Sequence, residues 1–195
     1  MADAAVRAMS LEEFLHWDDG TDTRYELIGG FPVAMAPTAE GHGELAAALA
    51  RHLENALATR RPYRARVEPG VVHPERADSF FIADVGVTCT DRDPRRRYIP
   101  QPVLLVEILS PSTERHDRRI KVPAYQRIAS VQEILLIDSE SRYAELHRRQ
   151  GEQWLIQLII GGSGVIPLTS VGTEISMSAL YEGFVFPEDE AVLAP

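Results

Sequence analysis

Between residues 42 and 60 leucine recurs every fourth position, at Leu45, Leu49, Leu53 and Leu57, in an alanine-rich background. That spacing lines one face of a helix and predicts a long helix packing inward through its leucines, stopped by Pro62. Ahead of it, Ser10 followed by Glu13 has the form of a capping box and predicts a short helix. Two apolar segments, residues 25–28 and 31–35, flank Gly29 and Gly30 and predict a hairpin, ended by Ala36, Pro37 and Thr38.

After Pro62 the period changes from four to two. Residues 63–72, 80–89 and 103–109 each read as one strand, and the arginine-rich residues 91–100 between the last two read as an exposed loop. Residues 113–129 read as mostly helical, with Pro123 in a first turn or at a kink. Residues 131–137 form an apolar run ending at Asp138. Residues 142–149 and 153–160 alternate around Gln150, Gly151 and Glu152, a second hairpin. Gly161, Gly162 and Gly164 mark another turn, residues 176–181 a short helix, and the acidic tail after Pro187 frays. Strands and helices mix without strict alternation. The expected class is α/β (α+β), a mixed central sheet flanked by helices with additional hairpins. A length of 195 residues suits a single domain, 1–195, with its core over about residues 10–184.

Against this pattern two residues stand out. Glu107 lies inside the apolar run 104–109, which reads as a strand buried on both faces. Asp84 lies inside the run 80–89. Buried carboxylates need a partner or a metal, because desolvating the charge costs several kcal/mol. Strand parity puts Leu105, Glu107 and Leu109 on one face, and Asp84 with Ile82, Gly86 and Thr88. Two neighbouring strands each offering an acid to a common face would suit a hard divalent cation, Mg²⁺ or alternatively Mn²⁺. A phosphodiester is the natural third party, since such a metal activates water and neutralises phosphate charge. A nearby lysine would orient the water or stabilise developing charge.

Composition narrows the picture without deciding it. The formal charge of −9 argues mildly against a nucleic-acid partner, although local basic patches survive in acidic chains. The single cysteine, Cys89, leaves no intrachain disulfide and no cysteine zinc site, and suits a cytoplasmic location. No apolar run reaches the roughly 18 residues of a membrane span, and no membrane partner is expected. Residues 1–10 carry no signal-peptide core.

Asp84, the segment from Glu107 through Ser110, Pro111 and Thr113, Asp117, Lys121, Tyr125 and the strand ending at Asp138 together resemble the Uma-type restriction endonuclease family of the PD-(D/E)XK nuclease superfamily. Arg24 through Gly30, with Ala36, Pro37, Gly41 and His42, resembles that family's opening segment. The likeness covers roughly residues 10–184. It implies a restriction-endonuclease-like fold, Asp84 and Glu107 as catalytic metal ligands with the Ile108 carbonyl as a third, and a DNA endonuclease activity. Leu109 stands where the superfamily places its lysine, so the resemblance assigns that role to Lys121. Ala83 replaces the usual proline before the aspartate. Glu26 is a further catalytic candidate as an outer ligand, and His42 and Tyr125 are candidates for substrate binding. The superfamily's two-strand chemistry implies a homodimer.

Plainer readings stand beside these. Asp84 and Glu107 could pair with arginines. Asp117 and Lys121, four apart, could form a helix-surface ion pair. Glu26 could pair with Arg24, and His42 could satisfy the helix start. The arginines of residues 91–97 could bind a phosphate backbone or merely be solvated. Trp17 and Trp154 read as packing residues. The function expected is a metal-dependent DNA endonuclease. The alternatives are a catalytically inactive nuclease-fold binding or assembly module, and a hydrolase of smaller phosphoesters.

Overall fold

In the computed structural model, which describes residues 7–186, helix α1 (Leu11–His16) begins with the predicted capping box. The Ser10 hydroxyl accepts the Glu13 N–H, and the Glu13 carboxylate accepts that of Ser10. Strands β1 (Tyr25–Ile28) and β2 (Phe31–Ala34) form the first hairpin. Gly29 and Gly30 both take positive φ, 58° and 87°, as the two-residue turn requires. Helix α2 (Glu40–Leu57) buries all four periodic leucines completely.

The expected strand over residues 63–72 is two strands, β3 (Arg64–Val67) and β4 (Gly70–Val72). Glu68, at φ 49°, and Pro69 break the ladder between them. The expected strand over 80–89 is likewise two, β5 (Phe80–Ile82) and β6 (Val85–Thr88), and these belong to different sheets. Strand β7 (Pro102–Leu109) follows. The next helical stretch runs from α3 (Glu114–His116) through a π-helical turn (Asp117–Lys121) into α4 (Val122–Gln126). Then come β8 (Glu133–Asp138), β9 (Tyr143–Gln150), β10 (Gln153–Ile160), the hairpin of β11 (Val165–Leu168) and β12 (Thr173–Ser176), and helix α5 (Met177–Leu180). The β11–β12 hairpin was not legible in the sequence, because its serines, threonines and glycines read as loop. The tail after Pro187 lies outside the described residues.

The six-stranded sheet has the order β10-β9-β8-β7-β6-β3 and is antiparallel except for β7 and β8. That parallel pair needs a crossover, and the α3–α4 stretch supplies it. A second sheet of order β2-β1-β5-β4 lies beside it. On one face of β7, Leu104, Val106 and Ile108 pack with the leucines of α2; on the other, Leu105 and Leu109 pack with Tyr125, Ile134 and Leu136. The strand carrying Glu107 is therefore buried on both sides, as its composition predicts. Among the described residues no helix is long and apolar enough to cross a membrane.

Candidate active site

Parity on β7 sends Glu107 to the same face as Leu105 and Leu109, and it is 1% exposed. Asp84 does not sit within a strand. It occupies the gap where the chain leaves the small sheet at Ile82 and joins the large one at Val85. Its N–H donates to the Val106 carbonyl at 3.1 Å, which holds it beside Glu107. Its carboxylate is fixed from two sides: Oδ2 accepts the Ile108 N–H at 2.6 Å, and Oδ1 lies 2.9 Å from Nε2 of His42 in the first turn of α2.

The last residue of β5 supplies main-chain groups to the site. The Ile82 N–H donates to Glu26 Oε1 at 2.8 Å, and the Ile82 carbonyl accepts from Lys121 Nζ at 2.9 Å. Ile82 ends β5 beyond the one residue pair, Leu27 with Phe80, through which β1 and β5 are in register, so both groups are open to these side chains.

Asp117, Lys121 and Tyr125 are spaced by four and share the inner face of their helical stretch. Asp117 and Lys121 span the π turn, in which the Val122 N–H bonds the Asp117 carbonyl five residues back. Pro123, with no N–H to donate, follows directly; π turns of this kind concentrate at functional sites. The surface ion pair considered for Asp117 and Lys121 does form, at 3.4 Å, but inside the protein, with the two residues 2% and 5% exposed. Lys121 Nζ also lies 3.0 Å from Glu107 Oε2 and 3.2 Å from Glu26 Oε1. The Tyr125 hydroxyl donates to Glu107 Oε1 at 2.6 Å. Tyr125 is fully buried behind Glu107 and is not among the residues that line the cavity bordered by the other candidates.

Glu26, His42, Asp84, Glu107, Asp117 and Lys121 border one cavity of about 270 Å³, walled on another side by β2. Four carboxyl groups there face one ammonium and two imidazoles. Burial pushes the Glu107 carboxyl well above its usual range; the Lys121 ammonium pulls it back, while Asp84 and Asp117 push it further up. Burial alone would lower the Lys121 pKa, but the charges of Glu107, Glu26, Asp117 and Asp84 outweigh it and hold the ammonium above its ordinary value. Burial raises Asp117, with Lys121 opposing. Burial would raise Glu26 too, yet the His116 hydrogen bond, the Lys121 charge and the Ile82 N–H bring it below its usual value. The hydrogen bond to Asp84 raises His42 in spite of burial. Burial and the Glu107 charge keep the Tyr125 phenol protonated.

The structure thus brings Asp84, Glu107, Lys121, Glu26 and His42 to one cavity, with Ile108 on its wall. Among the described residues no three His, Cys, Asp or Glu side chains are grouped to hold a metal ion by themselves, and the Lys121 ammonium stands amid Glu107, Glu26 and Asp117. Sequence reasoning missed His116, whose Nε2 lies 3.1 Å from Glu26 Oε2. Its signal was its place just ahead of the inward-facing Asp117 and Lys121. Leu109 packs in the apolar cluster, 4% exposed, while the Lys121 ammonium lies beside Glu107.

Two uncharacterised proteins of Synechocystis sp. are similar to this chain. One is 29% identical over 184 residues, covering 91% of this chain and 94% of the relative; the other is 26% identical over 170 residues, covering 85% and 96%. The fold is shared with a crystal structure from Anabaena variabilis described as "a putative nuclease belonging to DUF820", at a TM-score of 0.72 and 19% identity, over 89% of this chain and 97% of that one. With residues 11–179 matched by the family described as "Uma2: Putative restriction endonuclease", the chain belongs to the Uma2 family.

Proposed function

We propose that the chain is a divalent-metal-dependent phosphodiesterase that cleaves DNA as a homodimer. The observation that carries the reading is the burial of Glu107 and Lys121 together, 3.0 Å apart, in the cavity that also takes the carboxylate of Asp84. The donor set fits a hard cation: every anionic group is a carboxyl oxygen, and carboxyls outnumber the ammonium four to one. Asp84 and Glu107 would hold Mg²⁺ or Mn²⁺, with the Ile108 carbonyl adjoining. Such an ion supplies a water of lowered pKa and neutralises charge on the scissile phosphate.

The chain's own groups divide the remaining work. Lys121, held protonated, is a donor and not a general base. It orients a water or stabilises negative charge building on the phosphate oxygens. Glu26 and Asp117 hold the ammonium in place, and His116 holds Glu26. Tyr125 fixes one oxygen of Glu107. His42, whose pKa the hydrogen bond to Asp84 raises, aligns that carboxylate at the edge of the cavity.

A second reading, an inactive nuclease-fold binding module, is favoured by one observation: both Glu107 oxygens already accept hydrogen bonds, from Lys121 and Tyr125. Calorimetric titration with Mn²⁺ separates the two. Binding by the wild-type chain that is lost in Asp84→Ala and Glu107→Ala supports the enzyme. Absence of binding in a folded wild-type chain refutes it and leaves the module.

A further inference from the structure

We propose that Arg64, Arg66, Arg92 and Arg96 form a second, anion-binding site that takes the phosphodiester backbone of a nucleic-acid strand. The four side chains line one hollow of about 600 Å³ away from the carboxylate cavity. Arg64 and Arg66 alternate along the edge strand β3, opposite Thr88 and Gly86, and so share a face. Arg92 and Arg96 come from the loop between β6 and β7. Sequence alone left that loop between a phosphate contact and a solvated turn; the fold adds two strand arginines to it.

The charges there are unbalanced. Arg64 is 7% exposed, yet its guanidinium donates to a main-chain carbonyl, that of Asp91 at 3.0 Å, and among the described residues it makes no ion pair. Arg66 likewise donates to a neutral group, the Tyr98 carbonyl at 3.1 Å. Arg92 has neither a hydrogen bond nor an ion pair among the described residues. Two acids also line the hollow, and both are engaged. Glu54 accepts the Ala65 N–H at 2.7 Å and faces Arg61 at 3.6 Å; Asp93 accepts the Arg95 N–H at 3.0 Å and reaches Arg96 only at 3.7 Å. Burial and then the charges of Arg92, Arg66 and Arg96 push the Arg64 guanidinium below its usual range, with Asp91 opposing. A buried cation facing further cations is costly, and an anion entering the hollow relieves that cost.

The lining also selects the kind of anion contact. No aromatic ring faces the hollow, so it offers no stacking platform, and its four guanidiniums suit the oxygens of a phosphate. The register links this to the carboxylate cavity: Arg66 opposes Gly86 and Arg64 opposes Thr88, two and four residues beyond Asp84. At strand rise these positions lie roughly 7 and 13 Å along from Asp84, about two to four nucleotide steps of a duplex strand. The identity of the ligand rests on the nuclease reading; the excess of positive charge does not.

The test is fluorescence anisotropy of a labelled 20-base-pair duplex with the full chain, in EDTA and across a salt series. The variants are the double Arg92→Ala/Arg96→Ala, which leaves the buried Arg64 in place, and Arg95→Ala, from the same loop but outside the hollow. Each lost phosphate contact weakens binding roughly eightfold at 0.1 M salt and flattens the log–log salt slope by about 0.9. The double variant is therefore expected to bind about sixtyfold more weakly with a slope smaller by about 1.8, and Arg95→Ala to stay near wild type. Wild-type binding and slope in the double variant, or an equal loss in Arg95→Ala, overturns the proposal, as does a wild-type chain that binds no duplex. Weakened binding as expected in a protein that cleaves nothing upholds this site and refutes the nuclease reading. Cleavage by wild type with unchanged binding in the double variant does the reverse.

Discussion

Replacing Lys121 with methionine removes one positive charge from the interior while keeping the side chain's length and most of its volume. The loss is then electrostatic, with little cavity contribution. Three carboxyl groups lie within 3.4 Å of the ammonium, at 3.0, 3.2 and 3.4 Å, and Glu107 behind it is 1% exposed. Breaking a buried pair by removing one partner costs about 3–5 kcal/mol. In a chain of this size that lowers Tm by roughly 6–20 °C. The sign with pH follows from the shifts. Lys121 has its pKa raised, so its contribution is fully present below its unfolded value near 10.5 and does not change between pH 5.5 and 8. Glu107 is raised as well, so its ionised form is the disfavoured one in the fold, and that penalty is relieved as pH falls through its folded pKa. The deficit of Lys121→Met therefore does not shrink as pH rises from 5.5 to 8. Urea unfolding of both proteins at the two values measures it. A loss below about 1 kcal/mol at pH 8, or a loss that shrinks as pH rises, contradicts the burial of charge on which this rests.

Other perturbations test the site and the core in turn. Glu107→Gln keeps an acceptor for Tyr125 but turns an amide NH₂ toward the Lys121 ammonium at 3.0 Å, so Tm is expected to fall together with Mn²⁺ affinity; a Tm at or above the wild-type value would count against the buried pair. For His42, the raised pKa means that its pairing with Asp84 contributes stability present below about 6.5 and lost as pH rises through the folded value. Its NMR titration midpoint is expected above 6.5, falling in Asp84→Asn, and a midpoint at or below 6.5 in the wild type refutes the pairing. Leu49→Ala, in the fully buried face of α2, is expected to cost about 2–5 kcal/mol in chemical unfolding, and a cost under 1 kcal/mol would remove that helix from the core.

What the sequence made legible follows from how regular each element is. Glu107 stood out because β7 is a continuous apolar strand, and the alternation that put it with Leu105 and Leu109 holds in the structure. The α2 leucines and the Gly29–Gly30 turn were readable for the same reason: one period, one local cause. Asp84 was recognised as a residue but misplaced, because the apolar run 80–89 shows no sign that the chain changes sheets at residue 83. The consequence was larger than a boundary error, since the end of β5 is where the Ile82 N–H and carbonyl meet Glu26 and Lys121. The inward turn of Lys121 depends on a π turn, whose five-residue bond has no pattern of its own beyond the following Pro123. Arg64 and Arg66 were silent in sequence because their meaning comes from a loop nearly thirty residues away, closed over an edge strand.

Cleavage of supercoiled plasmid by the purified chain tests the proposed chemistry most directly, run with Mg²⁺, with Mn²⁺ and with EDTA, beside Glu107→Gln and Lys121→Met. Nicked or linear product from the wild type with either metal, none with EDTA, and a loss of about a hundredfold or more in both variants is the expected result. A folded wild-type protein that binds the plasmid and leaves it intact with both metals, or a Glu107→Gln variant that cuts as fast as wild type, would contradict it.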